Sequence, residues 1–166
     1  MISIPALPSG FSNVLLTDIL QEHGCLPSSG AVSGITQSLI GDGTGMMAEL
    51  AKLSLTYHGD QGTAPPTLIA KFSSQNPTNR EISMSYKLYE REARFFQEIA
   101  PQSATSTPSV YFVGFKGDQF LILMEDLSDY QVGSQVIGAD LRQTELAIDE
   151  LVKLHGPFWG QVTELD

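Results

Sequence analysis

Lys71 and Glu92 are the residues through which this sequence could do chemistry, and a run of glycines ahead of them suggests which kind. Lys71 stands in Thr67-Leu-Ile-Ala-Lys-Phe-Ser73, sharing parity with Thr67, Ile69 and Ser73, while Leu68, Ala70 and Phe72 make the opposite face. A lysine so placed can hold an anion, or can simply point to water from an edge strand. Glu92 has Leu88, Tyr89, Phe95 and Phe96 at the helical neighbour positions, so its helix is expected to bury it. An ionised carboxylate removed from water costs several kcal/mol unless a cation meets it. Lys71 is a suitable cation. Glu90, surrounded by Tyr86, Lys87, Ala93 and Arg94, reads instead as a solvated residue paired along the helix. Upstream, Gly41, Gly43 and Gly45 alternate with Asp42 and Thr44. Bare backbone of this kind can present N–H groups to phosphate oxygens, although alternating glycines also mark hairpins with no ligand, and Asp42 opposes an anion. No Gly-Lys-Ser or Gly-Lys-Thr follows, and the segment leads into a strand, so it is not the lysine-bearing P-loop.

The elements that must position these residues follow from periodicity and punctuation. "SNVLLTDILQEHG" predicts a helix opened by Ser12 or Asn13 and closed by Gly24. "AVSGITQSLIG", "MAELAKLSLTY" and "PTLIAKFSS" predict strands. A long helix is expected from Arg80 to Ala100, stopped by Pro101. "SVYFVGFKGD" and "QFLILMED" predict a hairpin turning at Gly117-Asp118, and a last helix runs from about Asp140 to His155. This order is α+β: a five-stranded antiparallel sheet with one packed helix, plus an N-terminal and a C-terminal helix. The boundaries expected are an N-terminal helical extension over 1–32, the sheet domain over 33–127, and the start of a further lobe over 128–166.

Composition narrows the partners. The 166 residues carry a formal net charge of -10, which repels nucleic acid and anionic membrane. The single cysteine, Cys25, cannot form an internal disulfide, and no apolar run is long enough to span a bilayer, so a cytoplasmic protein is expected. His23, Cys25 and His58 lack zinc-ligand spacing, and Ser128, Asp129 and His155 lack the Gly-x-Ser-x-Gly elbow of a hydrolase. No metal site and no hydrolytic triad is expected.

A glycine turn between two strands, a lysine on the third, a glutamate on the next helix and two more strands make the layout of a kinase small lobe. The stretches "GTGMMAELAKLSLTY", "LIAKF", "YEREARFFQEIAP", "FLILMEDLSD" and "ELAIDELVKLHGPFW" resemble the aminoglycoside phosphotransferase/choline kinase-like superfamily, most nearly its ecdysteroid-kinase-like branch, from about Ser33 onward. The resemblance implies that Gly41, Gly43, Thr44 and Gly45 cover the ATP phosphates, Lys71 holds them, and Glu92 orients Lys71. It implies that Met124, Glu125, Asp126 and Leu127 form a hinge whose backbone reads adenine. ATP with Mg2+ is the cofactor expected of such an enzyme in full, with weak binding or none by this chain. The family's catalytic His-Gly-Asp loop with its following Asn, and its metal-binding Asp, have no counterpart before Asp166. The one literal match, His58-Gly59-Asp60, precedes the lysine and reads as a turn. The expectation is therefore the nucleotide-binding lobe of a small-molecule phosphotransferase, inactive by itself; the alternative is a stand-alone binding module on the same scaffold. The apolar stripe of Leu141, Ile148, Leu151 and Val152, with Phe158 and Trp159 beyond, is expected to need a partner: a missing large lobe, the small lobe itself, or a second copy of the chain.

Overall fold

The computed structural model describes residues 4–40 and 47–161. Gly41, Gly43, Thr44 and Gly45 lie outside them. The chain divides into two compact units, one of Met1–Ala93 with Pro108–Asp126 and one of Arg94–Thr107 with Leu127–Asp166.

The first unit is a sheet covered on one face by a helix. Helix α1, Asn13–Glu22, opens where the Ser12 side chain accepts the Leu15 amide at 3.1 Å, and its end is followed by Gly24 at φ 86°. The strands are β1 (Ala31–Ile40), β2 (Ala48–His58), β3 (Thr67–Ser73), β4 (Val110–Lys116) and β5 (Gln119–Glu125). They form one antiparallel five-stranded sheet in the order β1-β2-β3-β5-β4. The alternation in β3 appears as expected: Leu68, Ala70 and Phe72 are buried, with Ala51, Leu53 and Leu55 of β2 and Leu121 and Leu123 of β5 in the same core. Leu16, Ile19 and Leu20 of α1 close that core. Burying each such side chain stabilises the fold by roughly 1.5–3 kcal/mol. Residues 1–32 thus supply the helix that keeps one sheet face dry, leaving the other face to Lys71.

Two turns explain their glycines. Gly117 takes φ 64° at the first central position of the β4–β5 hairpin, where a left-handed residue matches the twist of the strands. Gly59 takes φ 77°, and a Cβ there would stand 2.2 Å from the Ser29 carbonyl oxygen. The Asp60 side chain accepts the Gly62 amide at 3.0 Å. His58-Gly59-Asp60 is therefore a tight turn packed against the segment before β1.

The long helix expected from Arg80 to Ala100 is broken. Helix α2 spans Pro77–Ser85, with Asn76 as its cap and Pro77 in its first turn, and α3 spans Leu88–Arg94. Between them Lys87 adopts φ 54°. A wider-wound turn follows at Phe95–Ile99 and a 3-10 turn at Ala100–Gln102, so Pro101 sits inside the last turn and does not simply end a helix.

In the second unit, α4 spans Leu141–His155 and opens with a reciprocal cap, the Asp140 side chain accepting the Gln143 amide while Gln143 accepts the Asp140 amide. The Glu150 carboxylate accepts from the Ser106 amide at 2.6 Å, Lys153 Nζ at 2.7 Å and Thr105 Oγ1 at 3.1 Å. No residue of α4 is buried. Phe95, Ile99, Leu154, Phe158 and Trp159 line an open apolar cavity of about 550 Å³. Among the described residues no helix is long and apolar enough to cross a membrane.

Candidate functional site

The sheet face opposite α1 gathers the charged groups. Lys71 pairs in register with Leu50 of β2 and Ile122 of β5, and its Nζ donates to Glu92 Oε1 at 2.6 Å. The pair expected from the sequence is thus formed. Its burial is less than expected: the Lys71 and Glu92 side chains are 26% and 32% exposed, and the residues of α3 that are buried are Tyr89 and Ala93. Of the apolar neighbours expected around Glu92, Tyr89 is buried and Leu88 half-buried, while Phe95 and Phe96 belong to a wider-wound turn and are themselves half-buried. Glu90, read as a solvated residue, is half-buried at 35% exposed, much like Glu92, and meets Lys87 Nζ from the break before α3 at 3.9 Å.

Tyr89 holds α3 in the place that brings Glu92 to Lys71. It is 2% exposed, its ring stacks on Phe120 with centroids 5.0 Å apart, and its hydroxyl uses both of its roles. The hydroxyl donates to the Met47 carbonyl at 2.7 Å and accepts the Ser74 amide at 2.9 Å. Ser83 Oγ of α2, fully buried, donates to the same Met47 carbonyl at 3.2 Å. One carbonyl at the root of β2 therefore binds α2 and α3 across the left-handed break at Lys87. These long-range bonds compensate the backbone cost of that break, of the order of 1–3 kcal/mol for a non-glycine residue at positive φ.

A second ion pair lies on the same face. Lys52 stands opposite Ile69 in register, two residues along β2 from the partner of Lys71, so both lysines leave the sheet on one side. Lys52 Nζ meets Asp126 Oδ2 at 2.6 Å, and the Asp126 side chain is only 8% exposed. Sequence reasoning missed this pair. The available signal was that Lys52 interrupts Ala51, Leu53 and Leu55 with the parity of the Lys71 face. Of the remaining hinge residues, Met124 pairs with Ile69 across the β3–β5 ladder. The amide of Glu125 already donates to the Ser109 carbonyl at 2.8 Å, and its carboxylate accepts the Ser109 amide at 3.0 Å. Leu127 begins the second unit, where its carbonyl accepts the Tyr130 amide.

Among the described residues, no group of three His, Cys, Asp or Glu side chains could hold a metal ion. Cys25 is buried, and that burial pushes its thiol above the ordinary value. The arrangement can hold an anion at Lys71, whose partner is open enough to solvent for a ligand to reach it. No curated protein and no solved structure matches the chain. The family model described as the ecdysteroid kinase-like family matches residues 42–157.

Proposed function

From the premise that the chain belongs to the ecdysteroid kinase-like family, we propose that it is the nucleotide-binding small lobe of an ATP-dependent phosphotransferase that acts on a small-molecule hydroxyl. The observation that carries this reading is the Lys71–Glu92 pair at 2.6 Å on the sheet face left free by α1. Glu92 holds the ammonium in one direction and the ammonium meets phosphate oxygens, so the charge of the nucleotide is offset without reorganising the lysine. Gly41, Gly43, Thr44 and Gly45 cover the phosphates, and the backbone of Met124, Glu125, Asp126 and Leu127 reads the adenine. With the Glu125 amide bonded to Ser109, the Glu125 N–H is not the group that does so.

Mg2+ would accompany the nucleotide, but the described residues supply no cluster to hold it. Phosphoryl transfer also needs a base at the acceptor, and the His58-Gly59-Asp60 turn is built for packing. Weak ATP binding without transfer is the behaviour this reading assigns to the 166 residues by themselves. The exposed stripe on α4 supports a partner, either a large lobe or a second copy of the chain. That stripe is also what favours the second reading, a non-catalytic binding module. A cytoplasmic setting, supported by the lone buried Cys25, belongs to the same proposal.

Titration with ATP, followed by amide shifts, tests the reading. Shifts at Lys71 that disappear in Lys71→Met are expected, with no hydrolysis. Absence of any shift, or turnover by the purified chain, would overturn it.

A further inference from the structure

The two lysines on the open face are held in different ways, and the difference assigns them different work. The partner of Lys71 is 32% exposed, so an incoming anion can compete for that ammonium. Asp126, the partner of Lys52, is 8% exposed, the most enclosed member of the ion pairs among the described residues. Lys52 itself is 34% exposed, but the carboxylate it meets is enclosed, and a carboxylate that far from water holds a cation more firmly than an exposed one does. Lys52 is therefore committed to Asp126.

The strand order gives this commitment a geometry. β2 and β5 are not neighbours, because β3 lies between them. Two strand spacings, about 9–10 Å, separate them, and Asp126 directly follows the last residue of β5. The Lys52 side chain consequently reaches across β3 beside Ile69, which pairs with Lys52 on one side and with Met124 on the other. A lysine stem lying over an apolar strand with its charge at the far end is an ordinary use of that side chain. Here it ties the chain leaving β5 to a strand two places away.

We propose that Lys52 is a positioning residue for the base end of the nucleotide site: its ammonium straps Asp126 across β3 and fixes the backbone of Met124 to Asp126 that reads the base. This rests on the small-lobe reading and deepens it. Lys71 then serves the phosphates and Lys52 the nucleoside. Such a division makes a prediction that a purely stabilising ion pair does not, because it separates binding of adenosine from binding of ATP.

Dissociation constants for adenosine and for ATP, measured by amide shifts on the 166-residue chain, decide it. Lys52→Met, and the double variant Lys52→Met with Asp126→Asn that leaves no enclosed charge, should weaken both ligands by the same factor, about tenfold, or about 1.4 kcal/mol. Lys52→Arg should restore both. Lys71→Met should weaken ATP alone. Loss of ATP with adenosine unchanged in the Lys52 variants would make Lys52 a phosphate cation and overturn the proposal. Unchanged affinity for both ligands, with only a lower melting temperature, would overturn it as well. If the unaltered chain binds neither ligand, the nucleotide reading falls, and amide exchange judges the strap separately. Exchange at Met124 and Glu125 must then rise about tenfold in the double variant and stay unchanged in Lys71→Met; a rise in neither sinks the strap.

Discussion

In the sheet unit, Leu16, Leu20, Leu53, Leu68 and Leu123 have no exposed surface at all, and they come from α1 and from three different strands. In the other unit, Leu141, Ile148, Leu151 and Val152 are all half-exposed or more, and α4 buries no residue. Both segments have amphipathic helices with good caps. The difference shows that a cap and an apolar stripe make a helix, while burial of the stripe makes a core. α1 has found a sheet, and its stripe stabilises the unit. α4 closes its start with the Asp140–Gln143 cap and is tied to the rest of its own unit by polar bonds from Glu150 to Thr105 and Ser106. The charges proposed for the site follow the same division, since Lys71, Glu92, Lys52 and Asp126 all stand in the unit with the dry core. A rigid scaffold is what an oriented ammonium requires.

The sharpest way to break this contrast is to empty the core. Leu53→Ala should cost about 2–5 kcal/mol, the usual range for a fully buried leucine replaced by alanine. A urea midpoint shift of the sheet unit checks it, and a loss under 1 kcal/mol would mean that α1 does not seal the sheet. A smaller effect is expected at the ion pair. Glu92→Gln should cost about 1 kcal/mol, because the partners are 26% and 32% exposed and solvent screens them. The same melt measures it; a cost near that of Leu53→Ala would show that the pair is more enclosed than its exposure indicates.

The polar unit can be tested through acid. Lys153, first, and then the Ser106 amide hold the Glu150 carboxyl down to about 2, against an ordinary value of 4.5. A carboxylate depressed in the folded state contributes stability above the unfolded value and loses it as pH falls through the folded one. The tie between Glu150 and Ser106 is thus complete above about 4.5 and is lost as pH falls toward about 2. The Ser106 amide resonance should titrate near the lower value, and Lys153→Met should move that midpoint upward. A midpoint already near 4.5 in the unaltered protein would remove Glu150 as the tie.

Much of this architecture was legible in the sequence, for reasons that can be named. Strand parity separates Leu68, Ala70 and Phe72 from Lys71 because side chains alternate strictly along a strand. The caps at Ser12 and Asp140 announce helix starts because their side chains bond the first free amides locally. The Lys71–Glu92 pair was expected from a burial of Glu92 that proves only partial; the partners meet, but with both still reached by water. What could not be read depends on contacts distant in sequence. The break at Lys87 is compensated by Ser83 and Tyr89 on the Met47 carbonyl, more than 35 residues away. Nothing in "SMSYKLYE" predicts that meeting. The partner of Lys52 could not be read because it follows β5, on the far side of β3. The pattern of α1 indicates a buried face but not which surface buries it.

The last and smallest effect on stability is expected on α4, and it tests whether exposure there has a function. Leu151 is 50% exposed and Val152 64%. Replacing both by serine removes apolar surface that water already reaches, so folding stability should change by less than about 0.5 kcal/mol per site, the range of ordinary surface substitutions. The cost of helix propensity is also small, a few tenths of a kcal/mol at most per residue. If the stripe is an association surface, the same variant should abolish self-association that the unaltered chain shows in sedimentation at micromolar concentration, because contiguous exposed apolar patches commonly mark interfaces. Two-fold pairing is the commonest arrangement for identical chains, so a dimer is the species expected to disappear. A stable monomer before and after substitution would show that α4 needs no second copy. A stability loss of several kcal/mol would show instead that the helix belongs to a core, and the contrast between the two units would fail.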